Sequence, residues 1–122
     1  MAQLTSAKIL AVMNDLFFSV KINDAAKRLG MTAEFVKDKT VALEKIKANP
    51  PLVIFDLNCA TADPLELIRA AAGIPTIGFV SHVQTDLRQK AIESGCGVVA
   101  ARSAFAQNLE AMLESAIAKT TQ

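Results

Sequence analysis

Tryptophan and tyrosine are absent, histidine occurs once, cysteine occurs twice, and acidic and basic residues nearly cancel. Each scarcity removes a class of function. Six phenylalanines are the only aromatics, which leaves no Trp or Tyr platform of the kind on which single-strand binders stack bases. With 13 basic residues against 12 acidic ones the formal charge is +1, and no basic block forms a stripe that would track a phosphate backbone. Cys59 and Cys96 are too few and too scattered for a disulfide framework, and neither belongs to a CxxC pair, so two reduced thiols are expected. Cys59 and the lone His82 fall near the same predicted rim, but their separation matches no zinc-ligand spacing. The opening residues carry no cationic start ahead of an apolar run, and no later stretch stays apolar for the ~20 residues of a membrane helix. The expectations are therefore no nucleic acid, no membrane and a cytoplasmic location.

What is present is ample apolar material, 52% of 122 residues, enough for one continuous core and one domain over 1–122. Short β-branched runs at Ile9–Val12, Phe35–Val36, Leu52–Leu57, Thr76–Val80 and Val98–Ala101 read as buried strands. Longer segments of helical period lie between them. The clearest places Phe18, Ile22, Ala25, Ala26 and Leu29 on one face and stops at Gly30. A second helix from about Thr40 is ended by Asn49-Pro50-Pro51, and a third begins at Pro64 with Asp63 as its candidate cap. A fourth starts near Thr85 and is closed by Gly95, and a terminal helix carries Leu109, Met112, Leu113, Ala116 and Ile117 on one stripe.

Strands alternating with helices imply right-handed crossovers and a parallel sheet covered on both faces. Five such units predict an α/β, flavodoxin-like, doubly wound (βα)5 domain with strand order 2-1-3-4-5, whose ligands sit beyond the carboxyl ends of the strands. Met13-Asn14-Asp15, Asp56-Leu57-Asn58, Ser81-His82 and Ala101-Arg102-Ser103 should converge there.

On those residues the chain resembles the CheY-like receiver domain of response regulators, from Lys8-Ile9-Leu10 through Val53-Ile54-Phe55-Asp56-Leu57 to Gly95 and Leu109. The resemblance implies Asp56 as candidate phosphoacceptor, Ser81 as the hydroxyl that senses the phosphoryl group, and Arg102 as an anion contact where receivers carry lysine. It also implies two acidic magnesium ligands after the first strand, where this chain has Met13 and Asn14. A thioether is too soft for magnesium and an amide oxygen brings no charge, so the metal site reads as degenerate. Asp15 follows one residue late and has an ordinary explanation as a helix cap. Arginine presents a planar fork suited to a carboxylate, which predicts an ion pair between Arg102 and Asp56.

The leading functional expectation is a stand-alone pseudo-receiver, not an enzyme, acting by noncovalent protein–protein contact or as a homodimer and needing no cofactor. The resemblance points to the fourth helix, fifth strand and fifth helix as the contact face, and the chain is expected to carry no output domain. Two alternatives stay open. One is an active phosphoreceiver of a two-component system, modified at Asp56 with magnesium held by Asn14 and Asp15. The other is a small-molecule binder at the carboxyl rim, although Met13 to Leu16 form no glycine-rich phosphate loop. Phe17 and Val20 lie off the core stripe of the first helix, so Phe17 either tucks beneath a neighbouring loop or forms part of a contact surface.

Overall fold

The computed structural model describes residues 8–81 and 84–120, apart from the side chains of residues 60, 119 and 120. The apolar runs form five strands, β1 (Lys8–Val12), β2 (Thr32–Val36), β3 (Val53–Asp56), β4 (Thr76–Val80) and β5 (Val98–Ala101). All pairings are parallel and the order is β2-β1-β3-β4-β5. Between and after them run α1 (Leu16–Arg28), α2 (Lys39–Lys47), α3 (Pro64–Ala70), α4 (Thr85–Glu93), α5 (Arg102–Gln107) and α6 (Leu109–Thr120), with a short 3-10 turn over Ala60–Ala62.

The period of two along β1 divides the core. Ile9, Ala11 and Met13 face one side, where Phe18, Ile22, Phe105, Leu109 and Leu113 from α1, α5 and α6 cover them. Leu10 and Val12 face the other, against Ala42, Ile46, Leu67, Ile68 and Ala91 from α2, α3 and α4. Covered on both faces, β3 and β4 are buried at every position, and that is why they are apolar apart from Asp56 at the end of β3 and Thr76 at the start of β4. The edge strands differ from the buried strands expected of them, because β2 and β5 have a neighbour on one side only and stay partly accessible. β2 also begins earlier than its apolar residues suggest, since Lys8 to Val12 pair with Thr32 to Val36 along the whole of β1.

Gly30 and Gly95 stop α1 and α4 with φ of 76° and 107°, left-handed conformations that glycine adopts without a Cβ clash. One other expectation is corrected. Asp63 precedes Pro64 but makes no side-chain cap bond to α3, its φ being 51° and its carboxylate lying 3.4 Å from the Lys39 ammonium. The terminal stripe from Leu109 forms α6 as expected, and the structure adds the short α5 ahead of it, ending at Asn108, whose side-chain amide donates to the Ala104 carbonyl at 2.9 Å.

Candidate functional site

Four strand ends meet at the carboxyl rim. The Met13 amide donates to the Val36 carbonyl at 2.8 Å, which keeps the chain on the course of β1 for one more residue. Its side chain therefore continues the Ile9–Ala11 face and enters the apolar core, 3% exposed. Asn14 is exposed. Asp15 caps α1, its Oδ1 accepting the Phe18 amide at 3.1 Å, and its backbone carbonyl accepts both the amide and the hydroxyl of Ser19. The cap expected of Asp15 is thus in place.

The other oxygen of the Asp15 carboxylate forms an ion pair with the Arg102 guanidinium. Sequence reasoning assigned that guanidinium to Asp56, and the structure corrects it. Arg102 opens α5 and lies over Phe18, 4.8 Å from the ring centroid, and over Phe79 at 5.3 Å. Those rings and Phe105 form a three-ring cluster, with centroids 4.8 Å apart for Phe18–Phe79, 5.2 Å for the stacked Phe79–Phe105 pair and 5.7 Å for Phe18–Phe105. Resting on Phe18 and Phe79, the fork meets the partly exposed Asp15 without the heavier desolvation that pairing with a buried Asp56 would entail.

Asp56 ends β3 and is 7% exposed. Its Oδ1 accepts the Asn58 amide at 2.9 Å, and none of the ion pairs among the described residues involves it. Burial pushes its carboxyl above the ordinary carboxylate range, and the Asn58 N–H offsets part of that rise. The raised folded-state value means the stability that Asp56 contributes is full below its unfolded pKa and is lost as pH rises through the folded one. Asp56→Asn, which retains an acceptor for Asn58, is therefore expected to be more stable than the parent at neutral pH, by about 1.4 kcal/mol for every tenfold rise in the proton affinity of the buried carboxylate. The gain should shrink towards zero near pH 4, the range of a free carboxylate. Melting curves at the two pH values check this, and a gain independent of pH would count against it.

Ser81 follows β4 and shares a groove of about 350 Å³ with Phe17, Phe18, Arg102, Ser103 and Ala106. Phe17 does not tuck beneath a loop: it is 72% exposed, beside Leu16 at 85% and Val20 at 59%. His82 lies outside the described residues, so the conjunction with Cys59 is not described. Cys59 and Cys96 are both buried free thiols, and burial raises the pKa of Cys96. The rim suits magnesium poorly. Met13 faces the core, Asp15 is engaged by α1 and Arg102, and no group of three or more metal-binding side chains occurs among the described residues.

No family model and no curated protein matches the sequence. Solved structures do match. A CheY-like receiver domain protein from Methanospirillum hungatei superposes with a TM-score of 0.80 at 16% identity, over 95% of this chain and 97% of that one. The fold is that of response-regulator receiver domains. A receiver protein from Burkholderia phymatum gives 0.76 at 18% identity over 93% of this chain and 96% of that one. A response regulator from Thermotoga maritima gives 0.74 at 15%, over 93% and 98%. At such identities the backbone is shared and the chemistry has to be read from this chain's own rim. On the receiver scaffold, Asp56, Ser81 and Arg102 stand at the ends of β3, β4 and β5, but the carboxylate nearest Arg102 is Asp15. Sequence reasoning missed two features, the phenylalanine cluster beneath Arg102 and the role of the Asn58 side chain. Helical and strand periodicity mark the phenylalanines as core, and neither contact leaves a local signature.

Proposed function

We propose that this chain is a receiver-like signalling module that works by noncovalent contact with another protein or with a second copy, without magnesium-assisted phosphorylation of Asp56. It is a binding module with no reaction of its own. The observation that carries this reading is the state of the rim cation: Arg102 is held by Asp15 and the phenylalanine rings, while Met13 turns a thioether into the core at the position of a metal ligand. A charge already neutralised and stacked is a poor receiver of an incoming phosphoryl group, and without a carboxylate pair no divalent ion offsets the negative charge that Asp56 would acquire.

Two surfaces support the contact role. One is the face of α4, β5 and α6, where α4 exposes Asp86, Arg88, Gln89, Lys90 and Glu93 around a partly buried Leu87. The other is the apolar spot of Leu16, Phe17 and Val20 at the start of α1.

The test is intact mass after incubation with magnesium and a small-molecule phosphodonor, run beside Asp56→Ala. Neither protein is expected to gain a phosphate. An adduct on the parent that disappears in Asp56→Ala would overturn the reading and establish an active phosphoreceiver.

A further inference from the structure

We infer that Asn58 is a strap that ties the start of α4 to the end of β3 and so sets where α4 stands. The purpose of that placement, presenting α4 to a partner, rests on the function proposed above; the strap itself rests on geometry. Asn58 is anchored at its backbone, where its amide donates to Asp56 Oδ1 at 2.9 Å two residues past the end of β3. From that anchor its side chain reaches across the rim. Its Nδ2 donates to Gln84 Oε1 at 2.6 Å, and its Oδ1 accepts the Ser81 amide at 3.4 Å. One amide side chain thereby joins the end of β3, the end of β4 and the residue that opens α4.

Two features make this bond matter to α4 more than a surface hydrogen bond would to another helix. Gln84 is the N-cap residue of α4, yet its side chain caps none of the helix's own amides and is turned to Asn58. The helix start thus lacks the local capping bond that Asp15 supplies to α1 and Asp38 to α2. Packing holds α4 weakly as well. Ala91 is its one buried residue, whereas α1 buries Phe18, Ile22, Ala25 and Ala26. A helix with a thin apolar face and no side-chain cap takes its position from the tertiary contacts at its start, and here those are the partly buried Leu87 and the Asn58 bond at Gln84. Because the strap is anchored on the Asp56 carboxylate, a change at Asp56 is felt at α4 through this one residue.

Amide hydrogen exchange over residues 85–90 tests the strap in Asn58→Ala, Gln84→Ala and the double variant. Each single change is expected to speed exchange in the first turn of α4 about five- to tenfold, the scale of one net hydrogen bond. The double variant should be no faster than the singles, because both remove the same bond. Exchange in β1 and β3 should stay as in the parent. Unchanged α4 exchange in Asn58→Ala, additive effects in the double variant, or faster exchange throughout the sheet would each overturn the strap. The two readings fail separately. A phosphate adduct on Asp56 would sink the noncovalent function without bearing on the exchange rates of the unmodified proteins, while unchanged rates would remove the strap and leave that function standing.

Discussion

Phe79→Ala is expected to lose about 3–5 kcal/mol of folding stability, the range for truncating a fully buried aromatic ring. Phe79 is wholly buried on β4, between β3 and β5, stacked on Phe105 with an interplanar angle of 16° and tilted against Phe18. Truncation would open a cavity among three elements, since the ring touches α1 through Phe18 and α5 through Phe105. It would also remove part of the surface on which Arg102 lies. Against a typical domain stability of about 5–15 kcal/mol this is a large fraction. The melting temperature should fall on the order of 10–20 °C. Phe79→Leu, which refills most of the space, should recover more than half of the loss. Urea denaturation of the three proteins checks the order, and a Phe79→Ala loss below about 1 kcal/mol would mean that the three rings do not pack together.

Met13→Asp is expected to have the second largest effect, a loss of about 3 kcal/mol or more at neutral pH. The substitution restores the residue type that receivers carry after their first strand, yet in this chain the position points into the cluster of Ile9, Ala11 and Phe18. A carboxylate there would exchange water for apolar neighbours without gaining a cation, because Arg102 is already paired with Asp15. Magnesium at millimolar concentration should leave the denaturation midpoint of the variant where it was. A midpoint that magnesium carries back towards the parent would mean that the rim can rearrange into a metal site, and the active-receiver alternative would regain its footing.

These expectations separate what periodicity carries from what it does not. Thr76–Val80 and Val98–Ala101 were legible as strands to the residue, and the Phe18–Ile22–Ala25–Ala26 stripe was legible as the buried face of α1, because alternation and the 3.6-residue period are local properties of the chain. Edge behaviour was less legible. The start of β2 at Thr32 depends on its ladder with β1, which no residue between Thr32 and Glu34 announces. The unused cap at Asp63 has the same origin, a polar side chain taking a distant partner in place of a local one.

The candidate site divides along the same line. That Asp56, Ser81 and Arg102 would gather at one rim followed from the order of strands and helices, because parallel strands joined by right-handed crossovers put all their carboxyl ends on one side. Which carboxylate takes the arginine did not follow. Asp15 and Asp56 both lie near the rim, and the choice between them came from the depth of burial and from two phenylalanine rings contributed by α1 and β4. The exposure of Phe17 and the bridge from Asn58 to Gln84 were decided in the same way, by which elements the fold brings alongside. The sequence by itself determined the alternating elements, their order in the sheet and the side on which a site forms, since these depend on periodicity and handedness. Tertiary structure alone decided how the Asn58 side chain and Arg102 pair at that site, since those bonds join residues 23 to 87 positions apart whose distances only the packed sheet sets.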